Sequence, residues 1–162
     1  MRLTLHTDYA LRVLMYVAVK GEALSTIAEI VERFDIPKGH VMKVVHHLAQ
    51  KGYLHTIRGK KGGMRLARKP NQVVIGTVVR DMEQELGVLG CLQNAKGYCR
   101  IEECCLLRNA LRDAMNAFLA TLDRYTLQDL VRPRGLARLL KIDRVEGRPF
   151  GGASRRTPPL TP

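Results

Sequence analysis

Four cysteines, Cys91, Cys99, Cys104 and Cys105, fall close together in a chain of 162 residues. Thiolate sulfur gathered in this way is metal-binding chemistry. Seven residues separate Cys91 from Cys99, and four or five separate Cys99 from the adjacent pair. Zinc pairs are commonly roughly two to four residues apart, so a structural zinc site ranks second. Soft thiolates on a glycine-containing loop just ahead of a helix can wrap a larger inorganic core, and iron–sulfur clusters favour that ligand type. Disulfides rank below both, because nothing marks the chain for export and intracellular thiols stay reduced. His40, His46 and His47 offer another set of metal donors. Single histidines on an exposed helix more often serve as contacts or plain surface.

The elements ahead of the cysteines have a different use. A first helix is expected from Thr7 to Lys20, with Thr7 as its cap, Asp8 in the positively polarised first turn and Gly21 at its stop. A second begins at Ser25 or Thr26, where Thr26 and Glu29 have capping-box spacing and Ile27, Ile30, Val31 and Phe34 repeat at helical intervals. Asp35, Ile36 and Pro37 break it. Val41, Val44, Val45 and Leu48 then mark the buried side of a third helix that stops at Gly52. The opposite face carries Gly39, His40, Lys43, His46, His47 and Gln50, with Lys38 at its start. Two short amphipathic helices joined by a tight turn, the second with a polar and partly basic outer face, form the helix-turn-helix pattern.

A hairpin completes the motif. Tyr53 to Ile57 and Met64 to Ala67 can pair as strands around the basic tip Arg58-Gly59-Lys60-Lys61-Gly62-Gly63. The tip glycines permit close approach to phosphate, and Arg58, Lys60, Lys61 and Arg65 supply charge. The expected fold is thus mainly α with a small β-hairpin wing, and the expected DNA contacts are Lys38, His40, Lys43, His47, Arg58, Lys60, Lys61 and Arg65. Ile75 to Leu86 should form a short helix with Val78, Val79, Met82 and Leu86 inward. Glu103 to Val131 reads as one long helix with a seam of Leu107, Leu111, Ala114, Phe118, Leu122 and Tyr125. Such a length outruns a small domain, which suits a homodimer. The divisions expected are residues 1–75 for the winged helix-turn-helix, 76–131 for the cysteine loop and dimerisation helices, and 132–162 for a basic tail. That tail is rich in Pro, Gly and Arg, with one apolar patch from Leu136 to Ile142, and most of it should be disordered.

Charge follows the same divisions. Of the net +12, residues 1–70 carry +8, residues 71–131 carry −2 and residues 132–162 carry +6. Two basic ends around an acidic middle point to a polyanionic partner. No apolar run approaches the roughly 20 residues needed to span a bilayer, and Asp8 and Arg12 interrupt the one segment that could mimic a signal peptide. A cytoplasmic protein with no membrane partner is expected. No catalytic constellation is visible, which disfavours an enzyme or electron carrier.

The segments MRLTLHTDYALRVLMYVA, HVMKVVHHLAQKGYL, RGKKGGMRLA, IGTVVRDME, CRIEECCLLRNAL and FLATLDRYTLQDLV together resemble the BadM/Rrf family of winged-helix regulators. The likeness covers residues 1–131 and is strongest to the family's nitric-oxide-sensitive repressors. It implies an iron–sulfur cluster, 4Fe-4S in preference to 2Fe-2S, held by Cys91, Cys99 and Cys105, with Cys104 as the spare. It also implies a fourth ligand, Asp8 of the partner subunit, and repression by binding a palindromic double-stranded operator, released by nitric oxide. Cluster-assembly regulators of the family carry a histidine three residues after the third cysteine, where this chain has Arg108. The seven residues between Cys91 and Cys99 exceed the spacing usual among relatives. Remaining alternatives are a regulator that senses cluster status or redox and a structural-zinc DNA-binding protein.

Overall fold

A computed structural model describes residues 2–83, 86, 92, 100–101, 104–133 and 135–142. Helix α1 (Leu5–Lys20) is the hub of the fold, because Ala10, Val13, Leu14 and Val17 on one side of it are wholly buried. Its cap is Thr4 rather than Thr7: the Thr4 hydroxyl accepts from the Thr7 N–H at 3.3 Å. Thr7 lies one turn before Ala10 and two before Leu14 on the inward face, so its side chain is buried and unavailable as a cap. Gly21, at φ 70°, ends the helix and returns its N–H to the Val17 carbonyl.

Helix α2 (Ile27–Phe34) starts on the expected capping box. Glu29 donates its N–H to the Thr26 hydroxyl at 3.3 Å, and its carboxylate accepts the Thr26 N–H at 2.7 Å. Asp35, left-handed at φ 52°, turns the chain into α3 (Lys38–Gln50), whose Val41, Val44, Val45 and Leu48 are buried. Strands β1 (Leu54–Ile57) and β2 (Gly63–Leu66) pair antiparallel with Leu54 opposite Leu66 and Ile57 opposite Gly63. A 3-10 turn at Pro70–Gln72 leads into α4 (Ile75–Met82), which buries Val78, Val79 and Met82. That helix stops at Met82 rather than continuing to Leu86, with Glu83 donating its N–H to the Val79 carbonyl. The result is a mainly helical winged helix-turn-helix, with α1 packed against α3, β2, α4 and the C-terminal helices.

The long helix expected from Glu103 to Val131 is two helices, α5 (Leu106–Leu122) and α6 (Leu127–Val131). At 17 residues α5 is about 26 Å long. It ends because tertiary contacts compete for its next residues. Ile75 donates its N–H to the Tyr125 carbonyl and Leu127 to the Val73 carbonyl, so Thr126 pairs with Val74 in an isolated antiparallel bridge. Thr126 then recaps the chain through Asp129, its N–H and hydroxyl donating to the carboxylate at 2.9 and 2.7 Å. The expected seam divides accordingly. Leu122 and Tyr125 pack on the chain's own core, whereas Leu107 is 60% exposed and its neighbour Leu106 80% exposed.

The apolar patch beyond Arg132 is a single helical turn, α7 (Leu136–Leu139), that buries Ala137 and Leu140 and packs against α1. The remainder of the expected tail lies outside the described residues. Among the described residues no helix is long and apolar enough to cross a membrane.

Candidate nucleic-acid interface and metal centre

The outer face of α3 is divided into two stripes. Lys38, Gly39, Met42, Lys43, His46 and Gln50 are exposed along one of them. His40 and His47, seven residues apart, form the other and face α1. His47 Nδ1 and His6 Nε2 share a hydrogen bond of 3.0 Å, and the Tyr9 and His40 rings meet edge-on at 5.9 Å. Burial, followed by the nearby His47, holds the His6 imidazole below its ordinary value. Of the four expected contacts on α3, Lys38 and Lys43 thus stand free, His40 is exposed beside Tyr9, and His47 is half-buried against His6. Periodicity missed Met42, an apolar side chain 50% exposed in the middle of the polar face.

Arg58, Lys60, Lys61 and Arg65 are all exposed on the wing. Its tip is tight: Gly59 sits at φ 109°, Gly62 donates its N–H to the Gly59 carbonyl, and a Cβ on Gly62 would run into the Ile57 carbonyl. The wing is pinned at both ends. Ser25 and Met64 exchange backbone hydrogen bonds of 2.9 and 2.7 Å, tying β2 to the start of α2. At its base the Tyr53 hydroxyl donates to Asp81 at 2.6 Å, Lys51 pairs with the same carboxylate at 3.1 Å, and Arg68 lies 5.2 Å over the Tyr53 ring. Burial and the Asp81 carboxylate raise the Tyr53 phenol well above its ordinary value. Burial alone would raise Asp81, but the Tyr53 and Lys51 hydrogen bonds outweigh it and hold that carboxyl low. Asp81 of α4 is thereby tied to the Lys51–Tyr53 segment that joins α3 to the wing.

Of the expected metal ligands, Cys91 and Cys99 lie outside the described residues. Cys105 is the N-cap of α5, and its sulfur accepts the Arg108 N–H at 3.4 Å. Cys104 is exposed and its thiol donates to the Ile101 carbonyl at 3.6 Å. Asp8 stands at the surface of α1 with its side chain 42% exposed, held at two points by Arg12, at 3.1 Å through Nε and 2.8 Å through the second guanidinium nitrogen. Among the described residues of one chain, no three His, Cys, Asp or Glu side chains gather into a metal-binding group.

A family model described as Rrf2, iron-dependent transcriptional regulator, matches residues 3–133. The HTH-type transcriptional regulator NsrR of Bacillus subtilis (strain 168) is 45% identical over 145 residues, covering 88% of this chain and 99% of that protein. The HTH-type transcriptional regulator NsrR of Geobacillus kaustophilus (strain HTA426) is 43% identical over 145 residues, covering 89% of this chain and 99% of its own length. Among solved structures, CymR, the global cysteine regulator of B. subtilis, superposes with a TM-score of 0.63 at 20% identity, covering 81% of this chain and 96% of that one. At that identity the likeness is one of fold.

Proposed function

The chain belongs to the Rrf2 family of transcriptional regulators, and from that membership we propose that it is a dimeric repressor whose hold on operator DNA is released by nitric oxide. DNA binding is the part the geometry carries directly. The observation that carries it is the exposed stripe of α3, with Lys38 and Lys43, on a helix packed against β1 of a wing that exposes Arg58, Lys60, Lys61 and Arg65. A helix with free polar side chains can enter a major groove while a basic hairpin follows the backbone. In a two-fold dimer the recognition helices would stand about 34 to 36 Å apart, one turn of DNA, which suits a palindromic site.

The sensing half rests on residues that suit an iron–sulfur cluster. Cys105 lies where backbone N–H groups at a helix start face an anionic donor, and Cys91 and Cys99 add two more soft sulfurs. Asp8 projects from the surface of α1 rather than into its own core, as a ligand offered to a second chain must. Cys91, Cys99 and Cys105 with Asp8 of the partner subunit would hold the cluster, 4Fe-4S in preference to 2Fe-2S. When bound, the cluster would supply iron able to take nitric oxide, and the Asp8 carboxylate would be a weaker donor to it than the three thiolates. Arg12 gives Asp8 a second partner within its own helix, so the carboxylate has a place to go when it is not a ligand.

The first turns of α1 then carry the change to the DNA-reading helix. His6 and Tyr9 flank Asp8 and touch His47 and His40 of α3, so a shift of the Asp8 backbone alters the seat of α3. A signal can move such an equilibrium only by its differential interaction with the two states, about 1.4 kcal/mol per tenfold change in operator affinity. Iron and acid-labile sulfide content, with the visible spectrum of anaerobically purified protein, tests the reading. Sulfide and iron in cluster proportion with a coloured spectrum are expected, and a colourless zinc protein would overturn it.

A further inference from the structure

We propose that Met42 is a base-reading residue, and that the group it reads is the C5-methyl of a thymine in the major groove of each operator half-site. The inference rests on the reading of α3 as the DNA-entering helix. Met42 is half-exposed on that helix although its side chain is wholly apolar. It stands on the free stripe with Lys38, Gly39, Lys43 and His46, not on the stripe that meets α1. Lys38 and Lys43 make this a surface for a polyanion and disfavour an apolar protein partner.

Position and chemistry then narrow the target. Helix α3 begins at Lys38, so Met42 lies in its second turn, within the N-terminal part of a recognition helix that contacts base edges. Gly39, three residues earlier on the same stripe, has nothing within 4 Å of the place a Cβ would occupy. The α3 backbone is therefore bare at that point and can approach the groove floor closely. A thioether has no hydrogen to donate and accepts weakly, so it cannot read the donor and acceptor pattern of base edges. The one apolar feature of the major groove is the thymine methyl.

The test uses the anaerobically purified full-length dimer. Duplexes are first selected from a random pool by the wild-type protein, and each thymine of the selected half-site is then replaced by deoxyuridine, which lacks only the methyl. One position should weaken wild-type binding about fourfold when replaced in one half-site and about fifteenfold when replaced in both, as expected for one buried methyl group each. Met42→Ala, an exposed substitution that a helix tolerates well, should bind the thymine and deoxyuridine duplexes alike at that position. If wild type binds every deoxyuridine duplex as it binds the parent, or if Met42→Ala keeps the wild-type sensitivity, the assignment of Met42 is wrong while the DNA reading stands. If the pool yields no preferred duplex, the DNA reading and the Met42 proposal both fall.

Discussion

Asp8 sits between two residues that touch the recognition helix, and this is where sensing and DNA reading would meet. The candidate sulfur donors were legible as residue types, since clustered sulfur is unusual enough to announce itself, whereas Asp8 was marked by resemblance alone, its place in a first helical turn being equally that of a residue favourable to the helix dipole. The His6–His47 bond was not legible, because its partners lie 41 residues apart and meet only once α1 packs on α3. Nor was the role of Thr4, since Thr7 has the same capping chemistry and only burial distinguishes them. His6→Phe keeps a ring at the contact and removes the hydrogen bond. A net bond of about 1 kcal/mol used to position α3 should appear as about fivefold weaker operator binding, with iron content unchanged. Duplex titration beside iron analysis checks this, and unaltered affinity would detach His6 from the recognition helix.

At the level of elements, local signals succeeded where they acted alone. The capping box at Thr26 and Glu29, the buried valines of α3 and the glycine-rich wing tip each specify their element within a few residues, and the structure keeps all three. The α5–α6 break failed to show because the apolar seam at steps of three and four continues through Leu122 to Tyr125, past the end of α5. The chain turns there for tertiary reasons, chiefly the Val74–Thr126 bridge and the two-point Arg80–Asp123 pair at 2.7 and 2.6 Å. Gly76 closes this joint, since a Cβ there would overlap the Asp123 carboxylate and crowd its backbone nitrogen. Gly76→Ala should therefore destabilise the fold by about 1 to 3 kcal/mol through overpacking. Gly39→Ala, with open space around it, should leave stability unchanged or slightly raised. Thermal unfolding of the two variants provides the comparison, and an equally stable Gly76→Ala protein would refute close packing of α4 on the α5–α6 turn.

Across the whole molecule, a basic N-terminal half is joined to an acidic middle that carries the cysteines. The exposed Leu106 and Leu107 begin α5 immediately after Cys105, so exposed apolar surface adjoins this candidate ligand. On the reading proposed above, Asp8 of the partner subunit and Cys105 would share one centre in a dimer, a centre that a single chain does not assemble among its described residues. Charge division and helix-turn-helix architecture were readable in advance because they depend on composition and short-range pattern. The proposed shared centre rests on resemblance, because it depends on how two chains meet. The most direct test is operator binding by the anaerobic, iron-loaded dimer, followed by fluorescence anisotropy as nitric oxide is added in steps. Anisotropy should fall to the value of free duplex as nitric oxide approaches stoichiometry with iron, whereas operator binding that persists through a full excess would contradict the account.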